Sequence, residues 1–139
     1  MHAGRAVKAF FPYAATTAGI TVRVAPRYLD EQSDPEAGEY AWSYHIRVEN
    51  GTADDVQLLA RHWVITDGRG RIDEVRGDGV VGEQPIIPPG GAFDYVSGCP
   101  LPTPSGTMAG TYTMAARETL FEVAIPLFSL DLPGARVVN

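Results

Sequence analysis

Hydrophobic and polar positions alternate with period two along most of the chain, the signature of half-buried strands. Ile20, Val22 and Val24 share one side while Thr21 and Arg23 take the other, and Pro26 limits pairing there to an edge or a bulge. The run from Leu29 to Gly38 is too polar to bury and reads as an exposed loop. Tyr40, Trp42, Tyr44, Ile46 and Val48 then alternate with Ala41, Ser43, His45 and Arg47, the clearest strand in the chain, and Asn50-Gly51 reads as a left-handed hairpin turn. Val56 to Ile65 is apolar on both parities, as expected of a central strand covered on both faces or one that contains a bulge. The tight turn Asp67-Gly68-Arg69-Gly70 leads into a strand over Arg71 to Val75, and Gly77 to Gly82 follows as a glycine loop. Gln84 to Ile87 is a short extended piece, Pro88-Pro89-Gly90-Gly91 a turn, and Ala92 to Ser97 another strand. Between Cys99 and Gly106 prolines alternate with single residues, so this segment is expected to lie extended over the surface without ladder hydrogen bonds. Met108 to Ala116 and Phe121 to Leu127 should pair as a hairpin through Arg117-Glu118-Thr119, with Ile125 and Leu127 on one face. Seven to eight short strands predict an all-β, antiparallel sandwich or barrel. Residues 1–18 form an N-terminal arm, partly ordered at best, ahead of one domain over 19–139.

Composition narrows the function. A chain of 139 residues with 20% charged residues can bury one core, and its 15 glycines and 11 prolines leave little room for long helices. The formal net charge of −6 removes any general attraction to nucleic acid or anionic membrane. The first eighteen residues lack a sustained apolar core of signal-peptide type, and no stretch reaches transmembrane length. Cys99 is the single cysteine, so an internal disulfide and a thiolate zinc site are excluded, and a cytoplasmic location is expected.

Three runs carry a family resemblance: Gln57-Leu58-Leu59-Ala60-Arg61-His62-Trp63-Val64-Ile65-Thr66-Asp67, then Glu74-Val75-Arg76-Gly77-Asp78-Gly79-Val80-Val81-Gly82-Glu83-Gln84-Pro85, then Ser97-Gly98-Cys99-Pro100-Leu101-Pro102-Thr103-Pro104-Ser105-Gly106-Thr107-Met108. Together with Thr21 to Leu29 upstream and Ile125 to Leu130 downstream, they resemble the ApaG family over roughly residues 19–133. The resemblance implies an immunoglobulin- or fibronectin type III-like β-sandwich. It also implies a binding role rather than a reaction, in a setting of cobalt resistance, magnesium efflux and a neighbouring diadenosine tetraphosphate hydrolase. Related domains in eukaryotic F-box proteins and in a polymerase-interacting protein resemble protein-binding modules. Ala115 to Leu120 departs from the family's acidic, glycine-containing turn.

Gly77-x-Gly79-x-x-Gly82 matches the GxGxxG pattern of dinucleotide sites, yet Pro85 and Pro88 follow where a phosphate-binding helix should start. From Asp67 to Glu83 three arginines face five acidic residues, which disfavours polyphosphate. Asp73, Glu74, Asp78 and Glu83 match no calcium-loop spacing, and neighbours on a strand point to opposite faces. His45 with His62 as a cobalt site, or Cys99 with a histidine as a nucleophile, would require strand register to bring them together. The alternating aromatics Tyr40, Trp42 and Tyr44 are expected in the core. The sequence therefore predicts a non-enzymatic binding module without catalytic residues, bound metal or cofactor. Its expected surface is the loop Gly77, Asp78, Gly79, Val80, Val81 and Gly82 with Arg61 and Arg76, together with Pro100, Pro102 and Pro104. The expected partner is another protein, with weak anion binding allowed and a dimer left open. The alternative is a pyrophosphate, nucleotide or magnesium module on the Gly77 to Gly82 loop.

Overall fold

The computed structural model describes residues 11–134. Among these residues nine strands are formed: β1 (Tyr13–Thr17), β2 (Ile20–Tyr28), β3 (Tyr40–Asn50), β4 (Val56–Asp67), β5 (Ile72–Asp78), β6 (Ile86–Ile87), β7 (Ala92–Leu101), β8 (Gly106–Ala116) and β9 (Thr119–Leu130). They build two antiparallel sheets, β1-β2-β3-β7 and β5-β4-β8-β9, with β6 pairing to the first residues of β4. The sheets face each other over a core in which Trp42, Tyr112 and Phe128 are the largest fully buried side chains. Burying each such aromatic contributes on the order of 2–3 kcal/mol against the entropy of chain ordering. Among the described residues no helix is long and apolar enough to cross a membrane.

The expected inward faces of β2 and β3 are the observed ones: Ile20, Val22, Val24, Trp42, Tyr44, Ile46 and Val48 are all buried. The two-parity reading of residues 56–65 resolves as a bulge, because the β4–β8 register shifts between Leu58 and Ala60. Val56 and Leu58 point inward before it; Arg61, opposite the buried Tyr112, and Trp63 point inward after it. The β8–β9 hairpin closes through Arg117 and Glu118, both at positive φ (51° and 67°), a two-residue turn of type I′ made without glycine.

Several boundaries differ from the sequence reading. Tyr13–Thr17, placed in the arm, is a strand paired with β2, because Ala18 and Gly19 (φ 51° and 82°) supply a type I′ turn; residues 1–10 of that arm lie outside the described residues. The strand count therefore rises to nine. Asn50-Gly51 is not a left-handed hairpin turn, since neither residue has positive φ. The chain here crosses from one sheet to the other, and buried Asn50 is the hub: its Nδ2 donates to the carbonyls of Asp54 (2.7 Å) and Ile87 (2.9 Å), and its Oδ1 accepts from Thr52 N–H (2.9 Å) and Oγ1–H (2.6 Å). Strand β5 ends at Asp78, so Gly77 and Asp78 belong to a strand and the loop starts at Gly79. Strand β7 runs on through Pro100, opposite Ala41, which a proline tolerates at a sheet edge with its nitrogen turned outward. Leu127 is 62% exposed while Phe128 is buried, because the β8–β9 register shifts between the pairs Met108↔Phe128 and Gly110↔Ile125 and inverts the alternation.

Candidate functional site

The sandwich has a closed side and an open side. On the closed side β1 lies against β9: Ser129 N–H donates to the Tyr13 hydroxyl (3.3 Å) and Ala124 N–H to Thr17 Oγ1 (3.2 Å). On the open side the edges β5 and β7 do not pair, and between them lies a groove of about 690 Å³.

This groove unites two segments that the sequence offered separately. Asp78, Val80, Val81 and Gly82 form one lip, with Arg61 beside them, while Pro100 and Pro102 form the other. Arg61 reaches it because of the β4 bulge, which turns its side chain toward the interior. Its Nη1 donates to the carbonyls of Asp78 (2.9 Å) and Gly79 (3.0 Å), clamping the turn after β5. Gly77 is opposite Arg61 in the ladder, and a Cβ there would sit 2.8 Å from the guanidinium nitrogens, so the absent side chain is what lets the clamp close. The other expected residues fall elsewhere. Arg76 is on the outer face of the sheet, 3.6 Å from Glu74, and Pro104 is exposed beyond the groove.

The middle of the glycine triplet is tied into backbone hydrogen bonds. Gly79 N–H donates to Leu59 O (2.7 Å), and Val80 and Glu83 exchange both of their hydrogen bonds (2.8 and 2.9 Å). The N–H groups of Gly79, Val80 and Glu83 are therefore already engaged within the chain. The turn holds Val81 outward. Val81 and Gly82 have φ of 43° and 82°, the type I′ combination, and Val81 is 54% exposed at the groove lip. A β-branched residue in left-handed conformation is strained by about 1–3 kcal/mol.

The floor is built by Tyr44, Tyr95, Ser97 and Trp63, which the sequence reading assigned only to strands or the core, and by Cys99, which it weighed only as a nucleophile. Tyr95 and the buried Tyr112 share a hydroxyl–hydroxyl hydrogen bond. Burial pushes the Tyr95 and Tyr112 phenols well up from their ordinary value. The Tyr44 phenol is also raised by burial, an effect partly offset by its hydrogen bond to Ser97 and by the Arg61 charge. Burial pushes the Cys99 thiol up to about 11, so it is a neutral donor at ordinary pH, its Sγ lying 3.9 Å from Pro100 O. The signal for this floor was the inward parity of β3 and β7; only the sandwich geometry showed that this part of the parity opens to solvent.

The remaining candidate chemistry is dispersed. His45 bonds Asp94 (2.7 Å) on the outer face of one sheet, and His62 bonds Glu74 (2.7 Å) on the outer face of the other. Neither histidine lies beside Cys99, which faces inward opposite Trp42. Among the described residues no group of three or more His, Cys, Asp or Glu side chains could hold a metal ion.

An antiparallel β-sandwich of the immunoglobulin-like class, stitched on one side and grooved on the other, is thus the scaffold, and its groove lips are the runs on which the family resemblance rests. The model for the ApaG domain matches residues 30–116, and the chain belongs to the ApaG family. It is 55% identical over 127 residues to Protein ApaG of Methylobacterium sp. (strain 4-46), covering 91% of this chain and 98% of that protein. Protein ApaG of Caulobacter vibrioides is 57% identical over 124 residues, covering 88% of this chain and 89% of the relative. A crystal structure of a Bordetella pertussis protein described as ApaA superposes with a TM-score of 0.80 at 51% identity, covering 82% of this chain and 94% of that one.

Proposed function

We propose that this chain is a non-enzymatic, cytoplasmic binding module whose open-side groove takes an extended segment of a partner protein. On this reading its part in the cobalt and magnesium homeostasis and the diadenosine tetraphosphate context implied by the family resemblance is exerted through that partner, not through metal or nucleotide held by the chain itself. The observation that carries the proposal is Val81: a strained, exposed valine at the lip of the groove, in a turn where asparagine or glycine would be unstrained. Strain kept at an exposed contact position supports a contact as the reason for keeping it. The floor suits a polypeptide, with apolar surface from Trp63, hydroxyls from Tyr44 and Ser97, and the Arg61 charge spaced along one cleft.

A photo-crosslinker placed at position 81 in cells tests this, with position 122 on the outer face of β9 as control. Capture of the same proteins from position 81 and not from 122 is the expected result. Equal capture from both positions, or none from 81, refutes the groove. Val81→Asn should raise stability by about 1 kcal/mol and at the same time reduce capture by a crosslinker moved to position 102.

A further inference from the structure

The four terminal strands of the two sheets are not equivalent. β1 and β9 cover each other on the closed side, and side-chain oxygens of Tyr13 and Thr17 accept β9 backbone donors. On β7 the ladder phase is set by Asn50 N–H donating to Gly91 O (2.9 Å), so residues 93, 95, 97, 99 and 101 bond β3 and the intervening ones face outward. Pro100 and, one step past the ladder, Pro102 thus place two missing donors on that free edge, which blunts it against strand addition.

β5 carries no proline, and its edge donors and acceptors are all present. Asp67 N–H donates to Arg71 O (2.9 Å) at one end and Gly79 N–H to Leu59 O (2.7 Å) at the other, so Asp73, Val75 and Gly77 bond β4. Ile72, Glu74 and Arg76 therefore turn their N–H and C=O groups away from the sheet, and among the described residues no strand pairs with them. Ile72 and Val75 are 60% and 40% exposed on this strand.

We propose that β5 pairs antiparallel with β5 of a second copy of this chain, about a two-fold axis at Val75. Charge pattern and the turns at either end of the strand together select that register. Centring on Val75 sets Glu74 opposite Arg76 of the second copy, and Arg76 opposite its Glu74, with the free N–H and C=O groups of both in phase. Centring on Asp73, Glu74 or Arg76 sets like charges against each other, centring on Ile72 runs the pairing into the turn at Asp67–Arg71, and centring on Gly77 runs it into the turn at Val80–Glu83. Registers centred between residues put outward-facing groups opposite groups already bonded to β4. In the selected register Asp73, which points toward the groove, meets Gly77 of the second copy, over which the Arg61 guanidinium of that copy lies. Val75 covers Val75, and the β5-β4-β8-β9 sheet continues across the axis. A seven-residue strand pair is small beside the roughly 1,600 Å² of a standard interface, so the dimer is concentration-dependent.

Sedimentation velocity over a micromolar to millimolar series of the full chain tests the register by charge reversal. Wild type should shift from monomer to dimer across the series. Glu74→Arg alone, or Arg76→Glu alone, puts two like-charge pairs in the interface and should weaken the dimer at least about tenfold. An equimolar mixture of the two variants restores both attractive pairs and should recover a dimer that neither forms alone, as should the double variant Glu74→Arg/Arg76→Glu. Both side chains are more than half exposed, so the variants retain the fold, checked by circular dichroism. A wild type that stays monomeric throughout, single variants that dimerise like wild type, or a mixture that remains monomeric would each overturn the proposal.

Discussion

Replacing the middle glycine of the triplet, Gly79→Ala, separates a structural role for the glycines from a ligand-binding one. Gly79 has φ +62°, and a Cβ built there would lie 2.2 Å from Glu83 O, where contact distances of 3.4–4 Å are ordinary. Left-handed backbone costs alanine about 1–2 kcal/mol. Relieving the overlap moves backbone by about 1 Å and strains the Gly79 N–H bond to Leu59 O (2.7 Å) and the Arg61 bond to Gly79 O (3.0 Å), each worth about 1 kcal/mol or more. The sum is about 3–4 kcal/mol, a large part of the roughly 5–15 kcal/mol that holds a domain of this size. Gly82→Ala is the internal control: φ is +82° but nothing lies within 4 Å of its Cβ, so only the conformational cost of about 1–2 kcal/mol applies. Gly77→Ala falls between, because its Cβ meets the movable end of Arg61. Urea unfolding followed by tryptophan fluorescence, with the slope of the transition unchanged across the series, measures all three. The order 82, 77, 79 of increasing cost is expected. If Gly79→Ala costs no more than Gly82→Ala, the clamp reasoning is refuted and the triplet's spacing needs another cause.

The other expectations concern titrating groups. Because burial holds the Cys99 thiol near 11 against an ordinary 9.0, its thiolate fraction at pH 8 is about a hundredfold below that of a free cysteine. Alkylation by iodoacetamide should be slower by at least that factor in native protein, and labelling at the rate of the urea-unfolded chain would contradict the packing. The same raised value favours the folded state fully below about pH 9, and this contribution is lost as pH rises from 9 toward 11. For Glu49 burial raises the carboxyl pKa, but hydrogen bonds and charge from Arg23 and Arg47 outweigh it and leave the group below its ordinary 4.5. Its stabilisation is therefore present above about pH 4.5 and lost as pH falls below it. Glu49→Gln should flatten the acid limb of the stability profile, and an acid limb identical to wild type would show that the Arg23–Glu49–Arg47 cluster contributes nothing.

Local alternation made much of this fold legible. The Ile20–Val24 and Tyr40–Val48 stripes, the β8–β9 hairpin and the bulge-or-buried reading of residues 56–65 all follow from which side of a pleat each side chain takes, a property of neighbouring residues. The glycine loop and the proline run were also visible in the sequence as separate segments. Their meeting across one groove was not, because it depends on which strands end as unpaired edges. That is decided by pairings as distant as β3 with β7 and β4 with β8. Single-residue register events were equally hidden. The bulge near Leu59 turns Arg61 inward to clamp the turn after β5, and the shift within β9 sends Leu127 out and Phe128 in. The phase of the ladder then decides which N–H groups remain free, leaving the edge of β5 open and turning the β7 prolines into a guard. By itself, then, the sequence determined strands, turns and the faces of the core, because these are set within a few residues. The tertiary structure alone decided which edges and side chains face the open side, because pairing partners and bulges are settled by packing the whole sandwich at once.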